Sequence, residues 1–245
     1  MLPDTPLDDA CLLSVNVGLP EAQPWAGFLR RTAIRKTPVA GPVGVRWQGL
    51  DGDDVADKKH HGGTYMAVYA FAQEDYDHWT AELGETVPPA TFGENLTTTG
   101  IDVNEALVGE HWRVGTALLQ VVGVRIPCNV FKNWMGVAGF DPRAWVRRFT
   151  QHARPGPYLR VLEEGVVQAG DPIVVEHRPD HGVSVSTMFR ACTTDRGLMP
   201  LLADLEAVSP AVRAQAVGYA AAYGTVPDAG AGAGHPGHVS QDISD

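Results

Sequence analysis

The run from Thr116 to Cys128, TALLQVVGVRIPC, constrains the fold more than any other stretch of this chain. Leu118, Leu119, Val121, Val122, Val124 and Ile126 form an apolar series broken only by Gln120, Gly123 and Arg125, the pattern of a strand buried on at least one face. Pro127 has no backbone donor and holds its predecessor extended, so the strand ends by Ile126 and leaves Cys128 at its exit with Arg125 just behind. A guanidinium beside a thiol favours the thiolate, the form that ligates metals and attacks electrophiles. A cysteine in such a place can equally be a small buried hydrophobe, and the residues around it must decide.

Flanking this strand, the segment from Cys11 to Arg178 reads as short strands separated by glycine and proline: Leu12 to Val17, Phe28 to Lys36, Val43 to Trp47, Tyr65 to Phe71, Trp112 to Val114, Tyr158 to Leu162 and Ile173 to His177. Many short strands with regular turn signals predict a barrel or sandwich. Helices are expected at Gln73 to Leu83, with Glu74 and Asp75 in the first turn and Gly84 beyond the end, at Pro142 to Phe149 behind an Asp141 cap, and at Val130 to Met135. After Arg178 the pattern changes to three short helices, Ser184 to Cys192, Leu198 to Val208 and Pro210 to Tyr223. We therefore expect a β-domain over residues 1–180, a helical extension over 181–225 and a disordered Gly/Ala/Asp/Ser tail over 226–245. The glycine run Gly230 to Gly234 follows no strand and opens no helix, so it is no nucleotide loop.

A net charge of −10 argues against sequence-independent binding to nucleic acid, although it leaves room for a local basic pocket. The three cysteines, Cys11, Cys128 and Cys192, form neither a C-x-x-C pair nor a disulfide framework. The first ten residues carry acids where a secretory leader carries lysine or arginine, and no apolar run reaches the roughly 20 residues that span a bilayer. A cytoplasmic protein is the expectation. Signatures of serine hydrolases, phosphate loops, dinucleotide folds and zinc proteases are all absent.

Several polar clusters join Cys128 as candidates for chemistry. Lys36, in Arg35-Lys36-Thr37-Pro38, can meet an anion from a strand end or simply discourage edge pairing. The glycine-rich run Gly49 to Asp53 and the basic run Asp57 to Gly63 bring backbone amides, His60 and His61 together. Adjacent histidines on a strand face opposite ways, which argues against a two-histidine metal site. In Phe92 to Gly100, Asn95 and the threonines are short hydrogen-bonding groups, able to grip a polar ligand or to form ordinary turns. Tyr158 and Arg160 stand in phase on one strand, so both can face one side.

Taken in order, KTPV at 36–39, GLDGD at 49–53, DKKHHGG at 57–63, AVYAF at 67–71, FGENLTTTG at 92–100, RIPC at 125–128 and GPYLRVLEEG at 156–165 resemble the MOSC family, named for the C-terminal domain of molybdenum cofactor sulfurases, and its YiiM-like subgroup. The helical end is similar to the three-helix extension of that subgroup. The resemblance implies a mostly β, barrel-like domain holding a molybdopterin-type molybdenum cofactor, with Cys128 as metal ligand. It places Lys36, His61, Asn95, Arg125, Tyr158 and Arg160 around the cofactor. It also implies reduction of N-hydroxylated small molecules of the hydroxylaminopurine or amidoxime type, with electrons from a partner redox protein, and it is compatible with a homodimer. The usual motif has an apolar residue where this chain has His60, leaving open which of His60 and His61 faces the pocket. A sulfur carrier using a Cys128 persulfide is the alternative, and a cofactor-storing module with no chemistry of its own a third reading.

Overall fold

The computed structural model describes residues 10–59 and 61–224. The expected tail at 226–245, His60 and the first nine residues lie outside that range. Along the described chain the strands and helices are β1 (Cys11–Val17), β2 (Glu21–Ala22), β3 (Arg31–Thr32), β4 (Thr37–Pro38), β5 (Val43–Arg46), β6 (Gly49–Leu50), β7 (Val68–Ala72), α1 (Gln73–Leu83), β8 (Leu96–Thr99), β9 (His111–Val114), β10 (Ala117–Val124), α2 (Asn129–Val137), α3 (Trp145–His152), β11 (Pro157–Glu163), β12 (Gly165–Val167), β13 (Ile173–His177), α4 (Val185–Cys192) and α5 (Pro210–Tyr223). Short 3-10 turns occupy Gly27–Leu29, Thr64–Met66 and Arg196–Leu202.

Within the largest sheet, of eight strands, β10 is the buried run expected from the sequence, and only Gly123 along it is not fully buried. It pairs antiparallel with β9 and β11 and stops at Val124, where Pro127 can offer no further donor. The sheet order is β13-β9-β10-β11-β7-β8-β1-β4, antiparallel throughout except for the β7–β8 pair. Its two sides meet where β1 touches the start of β13: Ile173 N donates to Ala10 O at 2.8 Å, Leu12 N to Asp171 O at 2.9 Å and Gly170 N to Leu12 O at 2.8 Å. The result is a sheet rolled until it is joined at one corner, without a strand-length ladder closing it. A three-stranded sheet, β12-β5-β6, and the β2–β3 hairpin complete the β structure of the described residues.

Aromatic packing fixes the helices on this sheet. Phe92 lies 4.9 Å from Phe71, 5.3 Å from Phe131 and 5.6 Å from Trp145 between ring centroids, so one ring ties β7, α2 and α3 together. Burying each such side chain contributes about 1.5–3 kcal/mol. The helical end shares this packing through Phe189 of α4, whose ring is 6.3 Å from Phe149. Ser184 and Ser209 cap α4 and α5 by accepting from Thr187 N and Val212 N. No helix among the described residues is long and apolar enough to cross a membrane.

Four expectations are corrected. Phe28 to Lys36 is not one strand: a 3-10 turn and the left-handed Arg30 (φ 49°) interrupt it, and only Arg31–Thr32 find a partner strand. Leu96 to Thr99, read as a ligand-gripping loop, is instead a buried strand. The β-branched threonines suit extended backbone, and Thr97 is satisfied internally by donating to Glu94 Oε1 and accepting from Asn16 Nδ2. Asp141 does not cap a helix at Pro142. Its carboxylate is taken by Arg143, and α3 begins only after the left-handed Ala144. Leu198 to Val208 yields a 3-10 turn over Arg196–Leu202, because Pro200 within it removes an α-helical donor.

Candidate active site

Where β10 ends, the chain crosses Arg125-Ile126-Pro127 and turns into α2 with Cys128 as the residue before the first helical position. Cys128 lines a cavity of about 750 Å³, and Lys36, His61, Asn95, Arg125 and Tyr158 line the same cavity. That volume suits a cofactor or drug-sized ligand. Burial would raise the Cys128 pKa, but a hydrogen bond from His61, the Arg125 charge and the first-turn N–H of Phe131 bring it down to about 7. The start of α2 thus stabilises the thiolate through a first-turn backbone N–H.

Arg125 is 7% exposed and sandwiched by aromatic rings, its Cζ 5.0 Å from the Phe131 centroid and 5.7 Å from that of Tyr69. Nη1 donates to Tyr158 Oη over 3.4 Å, and Nε has no partner. Burial opposes the charge, yet Tyr158, Cys128 and Tyr69 more than offset it, so Arg125 stays protonated. Among the described residues no carboxylate pairs with it. A buried guanidinium that lines the cavity without a carboxylate counter-ion favours an anion there.

The second cation is handled differently. Lys36 forms an ion pair with Asp53, each side chain only 7% exposed. Asp53 Oδ1 also accepts from Gly18 N at 2.8 Å, and its Oδ2 accepts from Asn95 Nδ2 at 2.9 Å. Gly18 must be glycine for this approach, since a Cβ there would stand 2.6 Å from Arg35 O. Burial lowers the Lys36 pKa, with Asp53 and Glu94 opposing and Arg125 adding to the fall. Asn95 donates its second amide hydrogen to Asn16 O at 3.2 Å and accepts from Tyr69 N at 3.1 Å through Oδ1. Its amide is thereby spent on the protein. Asn95 holds Asp53, Asp53 holds Lys36, and Lys36 meets the cavity.

Behind Asn95, Glu94 is fully buried and accepts from Tyr76 Oη at 2.7 Å, Thr97 Oγ1 at 2.8 Å and Ala90 N at 2.6 Å. Burial pushes its pKa up against these donors. Arg160 does not line the cavity. Two residues beyond Tyr158 along a strand is about 6.6 Å of travel, and its guanidinium lies instead 5.6 Å from the Tyr65 ring. No group of three or more His, Cys, Asp or Glu side chains among the described residues is arranged to hold a metal ion. Sequence reasoning passed over Asp53 and Glu94 as parts of the site. GLDGD had singled out the first, but nothing local pairs it with a lysine 17 residues earlier.

The MOSC domain matches residues 57–174, which include His61, Asn95, Arg125, Cys128 and Tyr158. Over 174 residues the chain is 33% identical to the YflK protein of Bacillus subtilis strain 168, spanning 71% of this chain and 76% of that one. This chain belongs to the MOSC domain family. A protein named "Reductase" from Gibberella moniliformis is 32% identical over 204 residues, or 79% of this chain, which spans about a third (34%) of that longer protein. Among solved structures, YiiM from Geobacillus stearothermophilus superimposes with a TM-score of 0.71 at 28% identity, covering 86% of this chain and 98% of its own. The Lys36 and Asp53 wall of the cavity lies ahead of the matched MOSC segment.

Proposed function

We propose that this MOSC protein is a molybdenum-cofactor-dependent reductase of N-hydroxylated compounds of the hydroxylaminopurine or amidoxime type. The observation that carries the reading is the pairing, in one cavity, of a Cys128 thiol poised near neutrality with a buried Arg125 that has no carboxylate partner among the described residues. A soft thiolate suits molybdenum, and an unpaired guanidinium suits an anionic group such as a phosphate. Cys128 would hold the metal, with Arg125 and Lys36 holding the anionic part. When bound, the cofactor supplies oxygen removal, R–NHOH + 2 e⁻ + 2 H⁺ → R–NH2 + H2O, and the chain's task is orientation and charge. His61 favours the Cys128 thiolate, Asn95 and Asp53 hold Lys36, and Tyr158 Oη, at the Arg125 guanidinium, is a hydroxyl within the cavity able to orient a polar substrate atom. Cys11, Cys128 and Cys192 are free thiols, and we take the two electrons to come from a partner redox protein. The reductase name of the fungal relative supports the class of reaction.

The test is reduction of 6-N-hydroxylaminopurine and benzamidoxime by cofactor-loaded protein, driven by reduced methyl viologen. Turnover by wild type and its abolition in Cys128→Ala are expected. Loaded wild type inert toward both substrates would overturn the reading. The lowered Cys128 pKa also suits a second reading, a persulfide carrier charged by a persulfide donor. Native mass spectrometry showing one added sulfur that a thiol reductant removes would favour it.

A further inference from the structure

At the lip of the cavity, the 3-10 turn Gly27–Leu29 presents Phe28 with its whole side chain in solvent (100% exposed), beside Leu29 at 44% and Met66 at 37%. This turn is held in place. Gly27 (φ 70°) and Arg30 (φ 49°) bracket it in left-handed backbone, and Gln23 N donates to Arg30 O at 2.8 Å. Trp25, just before it, stacks on Trp134 of α2 at 5.9 Å, and Asn133 Nδ2 donates to Trp25 O at 2.9 Å. The helix that carries this arm is the one that begins at Cys128.

The charge of the arm departs from that of the chain. Between Glu21 and Asp51 there is no acidic residue, on a molecule of net charge −10, while Arg30, Arg31, Arg35, Lys36 and Arg46 fall inside the interval. Lys36 and Arg46 are paired with Asp53 and Asp51. Arg30, Arg31 and Arg35 are exposed and have no carboxylate partner among the described residues. Phe28 stands at the cavity mouth with its ring fully exposed, and an exposed ring beside unpaired cations suits a partner surface that is acidic.

We propose that the lip formed by Phe28, Leu29, Arg30 and Arg31 is the docking surface for an acidic electron-delivering protein, which seats over the cavity mouth and so comes close to the Cys128 end of α2. This rests on the reductase reading. Because partner and chain are both acidic overall, the local basic lip selects the orientation of encounter, and binding weakens as salt rises.

The experiment compares cofactor-loaded wild type with Arg30→Glu, whose side chain is exposed and outside the residues that line the cavity, using reduced flavodoxin of net negative charge as one donor and methyl viologen as the other. We expect the Kd for flavodoxin, measured by titration, and its KM to rise about tenfold or more, with a flattened dependence on ionic strength. Viologen-driven turnover, the KM for the N-hydroxylated substrate and the melting temperature stay at wild-type values. Unchanged flavodoxin affinity with intact viologen turnover would overturn the docking surface alone. A raised substrate KM under viologen would also overturn it, by assigning the lip to the substrate. Absence of viologen-driven turnover in wild type would instead overturn the reductase reading and, with it, the electron-delivering role.

Discussion

Replacing Asp53 with Asn tests the buried half of the site without changing its volume. The Lys36 and Asp53 side chains are each 7% exposed, and Asp53 satisfies Lys36, Gly18 N and Asn95 Nδ2 together. An amide in its place keeps one oxygen but aims an NH2 group at a donor, and it leaves the ammonium buried without a counter-charge. Breaking a buried pair from one side costs about 3–5 kcal/mol. At about 2–4 °C per kcal/mol for a chain of this size, the melting temperature should fall by about 6–20 °C. The loss should also depend on pH. Burial already holds the folded Lys36 pKa below 10.5, and removing Asp53 takes away the leading opposing influence, so the folded pKa falls further. Between that lowered pKa and 10.5 the unfolded chain binds more protons than the folded one, so the stability of Asp53→Asn rises with pH across the window. Urea denaturation at pH 7 and pH 10 should therefore show the gap to wild type narrowing at pH 10, and Lys36→Met added to Asp53→Asn should recover part of the loss at pH 7. A variant within about 1 kcal/mol of wild type at pH 7, or a gap indifferent to pH, would refute the argument that the pair is buried and mutually dependent.

Other consequences are open to direct measurement. Alkylation of Cys128 by iodoacetamide should follow a pH profile with its midpoint at about 7, and His61→Ala should move that midpoint upward, since the His61 hydrogen bond favours the thiolate. Arg125→Met should move it upward too, by removing the neighbouring positive charge, and should weaken binding of inorganic phosphate to the cofactor-free protein as read by calorimetry. Tyr76→Phe strips Glu94 of a donor and Phe92 N of an acceptor in a fully buried network, which should cost about 1–3 kcal/mol by chemical denaturation. Arg160→Ala should leave the Cys128 profile and phosphate binding unchanged, because Arg160 stands outside the cavity.

Much of this arrangement was legible from local pattern alone. The apolar run before Pro127 gave β10 and the placement of Cys128 at its exit, and the charges and closing glycine of α1 gave that helix its observed bounds. Resemblance of ordered motifs supplied the MOSC fold. What stayed hidden was set by partners distant in sequence. Leu96 to Thr99 looks like a turn until β7 and β1 close on either side and their backbone outbids the polar side chains. Phe28 and Leu29 look like a strand because their apolar character was read as burial, whereas they face solvent. Asn95 lines the cavity as expected, but its amide is consumed by Asn16, Asp53 and Tyr69, contacts up to 79 residues away, which no local pattern announces. The resemblance puts Arg160 around the cofactor, and its strand phase with Tyr158 agrees, but phase fixes the face of a sheet and not the distance along it.

The measurement that bears most directly on the central claim is the molybdenum content of wild type and Cys128→Ala, each purified from a host that makes the cofactor and each checked for an unchanged melting profile. The account predicts near-stoichiometric molybdenum in wild type and its loss in the folded variant. Equal metal in both would remove Cys128 as the ligand, and folded wild type that stays metal-free even after reconstitution would contradict the claim that this cavity is built for a molybdenum cofactor.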